Sequence, residues 1–260
     1  MTFRHSKQEH WRRWVEQELG DYALNVSKGL VPGTTWVNKF GRNILVANGA
    51  TEEIWDGSAV YSFPDTALMT YVSQKVDQAA MQGETVEIQG LDASWNLVVQ
   101  SINLDGTDTT TPVILTTALI RCFRIKVLAD VVTDQIISVH NTANNQDYAY
   151  ITAGNNQTLM AIYTVPAGKT AYMTNYYATH NPKSGNNFTA NAIRLWAKDN
   201  ANGYEKQLKH DHGIAEDGVF QHQFEPYQKF TEKTDIYLTA SPTGAAADIS
   251  AGFDLYLVDN

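Results

Sequence analysis

In this 260-residue sequence, the spacing that best suits metal binding is that of His210 and His212, which are separated by one residue. Residues at i and i+2 project from the same side of a β-strand, so both imidazoles can reach one ion. Further candidate ligands follow closely in the chain: Glu216, Asp217 and His222. The surrounding segment, Lys209–Gly218, also contains two glycines and several charges, which is typical of an exposed loop with solvated histidines. We therefore expect no metal and no other cofactor.

Other sequence patterns that could indicate metal binding or catalysis are weak. Asp105 and Asp108 in LDGTDTTT provide oxygen ligands, but their spacing does not match a calcium-binding EF-hand, and a polar turn is expected. Cys122 lies in the apolar run IRCFRIKV, which predicts a buried, inert thiol. The sequence contains neither a G-x-S-x-G elbow nor a G-x-G-x-x-G loop. A glycosidase carboxylate pair stays open, because sequence alone does not show which acids are close together. We expect a protein that is not an enzyme and has no catalytic residues.

Aromatic side chains are the other candidates for ligand contact. Aromatic rings can stack on sugars or bases, although most aromatic residues in strands serve as core or interface anchors. Both interpretations stay open at this point. The candidates for stacking lie in predicted strands of the second half: Tyr172, Tyr176, Tyr177 and Trp196.

The composition excludes several classes of protein. Hydrophobic residues make up 43% of the chain and charged residues 18%, which is too apolar for a disordered protein. One cysteine allows neither an internal disulfide nor a cysteine-based zinc finger. There is no apolar run of about 18 residues, so we expect no membrane partner. The net charge of −9 argues against binding to duplex DNA, which requires a basic surface, and we expect no direct nucleic-acid contact.

The first twenty residues differ from the rest, with a local charge of +1 that leaves −10 for the remaining 240. Apolar residues at helical spacing predict one amphipathic helix over residues 6–19. Ser6 is its candidate N-cap, and Gly20 its candidate end. The helix can dock on its own domain, on a neighbouring subunit or on a membrane surface. Its candidate partner-binding residues are Trp11, Arg12, Arg13, Trp14, Val15 and Leu19.

From about residue 35 the hydrophobic period changes to two, and short runs rich in Val, Ile, Thr and Tyr alternate with turn residues. We therefore predict an all-β fold with two antiparallel β-sandwich domains, jelly-roll or immunoglobulin-like, preceded by the N-terminal amphipathic helix. A short helical stretch is predicted near Thr117–Arg121. The predicted division is an arm and linker over 1–34, a first sandwich over 35–145 and a second over 146–260.

Three stretches resemble structural proteins of tailed bacteriophages, particularly those of aquatic bacteria. Glu87–Thr110, EIQGLDASWNLVVQSINLDGTDTT, is similar to a strand, polar turn, strand and Leu-x-Gly-x-Thr loop in such proteins. Asn155–Thr179 resembles a second recurring block, and Glu232–Val258 resembles the end of these proteins. Each block is weakly specific alone, but together they cover most of residues 50–260 in the same order. The arm lies outside the matched blocks.

This resemblance implies a non-enzymatic virion protein of β-sandwich type and transfers no catalytic residue. We expect a capsid decoration or cement protein that forms homo-oligomers, binds other virion proteins, chiefly the major capsid protein, and stabilises the capsid lattice. The alternatives are a tail, collar or fibre-base component, a host-glycan binding module and, less in keeping with the sequence, a hydrolase.

Overall fold

A computed structural model of the chain describes residues 21–57, 60–74, 81, 83–104, 111–130, 132–181, 190–215 and 218–260. The described part is all-β apart from one short helix and a few turns. None of its helices is long and apolar enough to cross a membrane. The helix predicted over residues 6–19 lies outside the described residues.

The elements follow one another along the chain as one helix and sixteen strands in the described residues. They are α1 (Tyr22–Ser27), β1 (Thr34–Val46), β2 (Glu52–Glu53), β3 (Met69–Gln74), β4 (Thr85–Leu91), β5 (Leu97–Asn103), β6 (Val113–Leu119), β7 (Arg121–Val127), β8 (Ile137–His140), β9 (Asp147–Ile151), β10 (Ile162–Thr164), β11 (Lys169–Asn181), β12 (Ala190–Asp199), β13 (Gln207–Ile214), β14 (Val219–Phe230), β15 (Thr234–Thr243) and β16 (Ala247–Asp259).

The larger pair of sheets combines the two ends of the described chain. One sheet has the order β1-β16-β11-β14, and the other has the order β10-β15-β12-β13, with β2 added beside β15. Alternation in β16 explains the packing between them. Phe253, Leu255 and Leu257 point into a shared apolar core, while Asp254 and Tyr256 point to the opposite face. All pairings in both sheets are antiparallel.

The smaller pair of sheets is built from the chain between β2 and β10. Its sheets have the orders β6-β3-β8-β9 and β5-β4-β7. Side chains from both sheets form a second apolar cluster, which includes Met69, Ile88, Ile125 and Val139. Strands β4 and β5 form an antiparallel hairpin and pair in register along their whole length.

Strand pairing corrects the predicted grouping of the chain. Residues 35–53 were assigned to the first sandwich, but β1 pairs with β16, and β2 pairs with β15. Likewise β9, assigned to the second sandwich, pairs with β8. The sheets of the smaller pair are therefore inserted between β2 and β10 of the larger pair. The physical reason is that strand pairs form between segments distant in sequence, so the linear pattern of strands does not reveal their partners.

Two local predictions are also wrong. Thr117–Arg121 is not helical, because β6 and β7 are extended strands separated only by Ile120. Most of Lys209–Gly218 is not a loop but belongs to β13, which pairs with β12. In both cases pairing with a neighbouring strand satisfies the backbone hydrogen bonds and overrides weak local propensity.

Strand β15 connects the two pairs of sheets, because it contacts an apolar cluster on each face. Ile236, Leu238 and Ala240 pack into the larger cluster, while Tyr237 packs into the smaller one. Residues 234–240 of β15 are all buried, as is typical of a strand that is covered on both faces. The strand therefore needs a partner for any charged residue that it carries.

The buried charge on β15 is Asp235, and its partner is Arg121 at the start of β7. Arg121 donates from Nε and Nη2 to the two carboxylate oxygens of Asp235, at 2.7 and 2.8 Å. Its Nη1 donates to the carbonyls of Pro64 and Ile120, at 2.6 and 2.9 Å. Arg121 and Asp235 are only 2% and 0% exposed. Asp235 also accepts from Thr164 at 2.6 Å. This network fixes β7 of the smaller pair against β15.

Replacement of Arg121 by Met should destabilise the protein by about 3–5 kcal/mol, because the Asp235 carboxylate is then buried without its counter-charge. The double variant Arg121→Met/Asp235→Leu should recover part of this loss, since neither charge remains. The measurement is the unfolding free energy from urea denaturation.

The matched control is Arg194→Met. Arg194 forms an ion pair with Asp211 at 3.4 Å, but both side chains are partly exposed. This change should cost less than about 1 kcal/mol. Equal losses for Arg121→Met and Arg194→Met would contradict the role given to the buried pair.

Candidate functional site

The outer face of the β1-β16-β11-β14 sheet carries a row of aromatic side chains. Tyr256 is the centre of the row, with Trp36 directly opposite on β1 and Tyr172 directly opposite on β11. Two further rings contact Tyr256: Tyr22 of α1 at a centroid distance of 5.4 Å, and Tyr227 of β14 at 6.0 Å. Three residues of this group are about half exposed to solvent: Trp36 (54%), Tyr227 (51%) and Tyr22 (50%).

A polar row lies beside the aromatic row on the same face. Asp254 faces Asn38 on one side and Asn175 on the other, and Asn175 in turn faces Gln223. The two asparagines donate from Nδ2 to the Asp254 carboxylate, at 2.7 and 3.0 Å. We call these two rows together the outer face. The amide and carboxylate groups are held in fixed orientations next to exposed rings.

A groove opens where β11 and β14 lose their regular pairing. The register shifts between Met173 and Asn175, and β14 bulges over residues 224–227. The groove has a volume of about 590 Å³. Its lining combines two aromatic rings, two amides and a carboxylate: Thr174, Asn175, Gln223, Phe224, Glu225, Pro226 and Tyr227. Such a lining suits a polar ligand or a polar protein surface.

The four aromatics predicted from sequence are not brought together in one site. Tyr172 and Tyr177 lie on the outer face, and Gly252 leaves room there for Tyr177. Tyr176 is fully buried in the larger core. Trp196 lies on the other sheet, where its Nε1 donates to Thr239 at 2.9 Å. Ligand stacking by these residues stays a prediction.

Sequence reasoning missed Trp36, Tyr227 and Tyr256. The alternation in β16 places Tyr256 on the other face of the strand from the core residues Phe253 and Leu255, so the sequence indicates that its side chain points outward. The positions of Trp36 and Tyr227 beside it depend on which strands pair, and no local signal gives that.

The structure brings His210 and His222 together, as the metal-site hypothesis required. Their rings stack at a centroid distance of 4.3 Å, and His212 stacks on Phe220 at 3.7 Å. Yet no three His, Cys, Asp or Glu side chains among the described residues form a group that could hold a metal ion. Glu216 and Asp217 lie outside the described residues, as do Asp105 and Asp108. The histidines instead pack as aromatic rings between β13 and β14.

His210 forms a hydrogen bond with the hydroxyl of Tyr176 through Nδ1. Burial raises the pKa of Tyr176, so the phenol stays protonated and donates to the imidazole. Burial, followed by the nearby His222 and His212, lowers the pKa of His210. Both effects favour a neutral His210 in the folded chain. Protonation would remove the acceptor for Tyr176 and place a charge beside two other imidazoles.

Cys122 is buried, as predicted, and burial raises the pKa of its thiol to about 12. A thiol in this state is a poor nucleophile. The predicted partner-binding residues of the arm, Trp11 to Leu19, lie outside the described residues, and their role stays a prediction.

Comparison of the chain with protein-family models finds no matching family, and a search of curated proteins finds no significant match.

The stability of the protein should decrease as the pH falls from 7.5 to 5.5. The unfolded chain titrates His210 near its ordinary pKa of about 6.5, whereas the folded chain resists protonation. The unfolded state therefore binds more protons in this range, and acid favours it. The measurement is the urea midpoint at several pH values, for the wild type and for His210→Gln, whose amide oxygen can still accept from Tyr176.

The His210→Gln variant should show a flatter dependence on pH than the wild type. Identical slopes for the two proteins would contradict the assignment of this titration to His210.

Proposed function

We propose that this chain is a non-enzymatic structural protein of a tailed-bacteriophage virion, and specifically a capsid decoration protein. Its partners would be the major capsid protein and copies of itself. The outer face would be the surface that contacts the capsid lattice. The proposal rests on one structural observation, the exposed aromatic row. The resemblance of the three sequence blocks supports it.

Exposed aromatic rings in a row suit a protein interface for a physical reason. Large, rigid side chains bury much apolar area at a small entropic cost, and Trp and Tyr dominate interface hot spots. Trp36, Tyr227 and Tyr22 are each about half exposed, so much of their area is still available for burial. The polar row beside them provides directed hydrogen-bonding groups, as the rim of an interface requires.

The fold adds support by analogy. We infer a jelly roll for the larger pair of sheets. Its eight main strands are β1, β10 and β11 to β16 in chain order, and they pair as 1-8-3-6 and 2-7-4-5. Jelly rolls with this order of strands occur in viral capsid proteins and in lectins. Fold alone does not determine function, so this analogy supports the proposal without carrying it.

Truncation of Trp36 or Tyr227 to Ala should weaken binding to the capsid shell at least about tenfold, because a hot-spot aromatic contributes about 2 kcal/mol or more. The measurement is co-sedimentation of the purified protein with shells of the major capsid protein from the same phage.

The matched control is Ile114→Ala, which removes an even more exposed apolar side chain from β6 of the smaller pair. This variant should bind like the wild type. Wild-type affinity for Trp36→Ala and Tyr227→Ala, or no binding by the wild type, would contradict the proposal. Binding to tail or collar assemblies instead of shells would favour the tail alternative.

Glycan binding is the second candidate function, favoured by the groove at residues 223–227. Sugars are recognised by planar amides and carboxylates next to an aromatic ring, and Gln223, Glu225 and Tyr227 offer that combination. The same groove can also serve as part of a protein contact.

A glycan array followed by calorimetry tests this second candidate. If a glycan binds in the groove, Tyr227→Ala and Gln223→Ala should each weaken it by roughly tenfold, since stacking and a directed hydrogen bond are lost. Gln221→Ala, on the same strand but outside the groove, should have no effect. Trp36→Ala should also leave the affinity unchanged, which separates glycan binding from shell binding. Retained affinity in Tyr227→Ala would contradict a groove site.

A further inference from the structure

A second cavity lies where the two pairs of sheets meet, away from the groove on the outer face. It has a volume of about 350 Å³ and is bounded by β1, by β7 and by parts of β4, β5 and β10. This volume is at the lower end of the range for small-molecule sites. The cavity therefore suits a ligand about the size of one substituted aromatic ring.

A buried lysine without an acidic partner lines this cavity. Lys39 is 3% exposed, and its Nζ donates to the carbonyl of Phe123. Among the described residues, no carboxylate forms an ion pair with Lys39. Burial lowers the pKa of Lys39 well below its usual range, and the charge of Arg124 lowers it further. An amine in this position is costly to bury unless something compensates its charge.

A second cation lines the same cavity. Arg124 donates from Nη2 to the carbonyl of Asn38 at 3.0 Å, and no ion pair to it is present among the described residues. The nearby carboxylate of Glu87 is engaged elsewhere, since it pairs with Lys126 at 3.0 Å and accepts from Gln89 at 2.8 Å. Two neighbouring basic side chains thus face a cavity whose own residues supply no anion to either of them.

The remaining walls combine apolar side chains with the polar residues Thr35, Asn38, Gln89 and Gln157. The rings of Phe123 and Tyr163 lie 4.7 Å apart, and Leu257 and Leu97 complete this part of the lining. Beside the apolar part of this lining, a strongly hydrated dianion would lose more solvation than a monoanion. A singly charged carboxylate on an apolar body would gain from both parts of the site, through charge-assisted hydrogen bonds and through burial of the ring.

We propose that this cavity binds a small aromatic monocarboxylate, with the carboxylate held between Lys39 and Arg124 and the ring against Phe123 and Tyr163. The cavity shares Trp36 and Asn38 of β1 with the outer face, but the proposed ligand site does not require the protein to decorate a capsid. A bound carboxylate would also link β1 of the larger pair of sheets with β7 of the smaller pair.

Isothermal titration calorimetry with sodium benzoate tests the proposal, with benzamide as the uncharged probe of the same shape. Benzoate should bind the full chain with a stoichiometry of one, and at least about tenfold more tightly than benzamide, since hydrogen bonds to charged groups are the stronger ones. Lys39→Met and Arg124→Gln should each weaken benzoate at least about tenfold for the same reason.

The matched control is Arg194→Met, which removes a partly exposed cation of β12 that lies outside the cavity lining. This variant should bind benzoate like the wild type. If Lys39→Met does not fold, Arg124→Gln decides the matter. The proposal is overturned if benzoate does not bind, if benzamide binds equally well, or if the foldable variants keep the wild-type affinity.

Discussion

The ion pair between Arg121 and Asp235 is the contact on which the arrangement of the sheets depends. Strand β15 packs against an apolar cluster on each face, so the carboxylate of Asp235 has no access to water. Arg121 compensates that charge with two hydrogen bonds to the carboxylate, and its third guanidinium nitrogen, Nη1, donates to two backbone carbonyls. The guanidinium also lies over the ring of Trp95 at 4.9 Å. Because a buried charge without its partner is costly, the two pairs of sheets are held in one specific relation.

Both candidate sites depend on how the sheets pack, but through different contacts. The inward packing of Phe253 and Leu255 fixes the direction of Tyr256 and Asp254 on the outer face. The contact between the two pairs of sheets brings β1 and β7 together around the cavity beside Lys39. The outer face thus depends on packing within the larger pair, and the cavity depends on packing between the pairs.

Much of the fold could be predicted from the sequence, because local patterns carry it. The hydrophobic period of two from about residue 35 predicts strands correctly, and the burial pattern of β16 shows that alternation. Pairing between distant strands could not be predicted, and β1 was therefore placed with the wrong sheets. The same limit applies to the sites. The sequence predicts solvated histidines in a loop, whereas their packing against Tyr176 and Phe220 depends on how β13, β14 and β11 meet.

The central claim is that the outer face is the contact surface of a virion protein, and electron cryo-microscopy of the phage particle tests it most directly. We expect this chain in many ordered copies on the capsid lattice, with Trp36 and Tyr227 buried against the major capsid protein. Particles that lack the chain, or that contain it with both side chains facing solvent, would contradict the account.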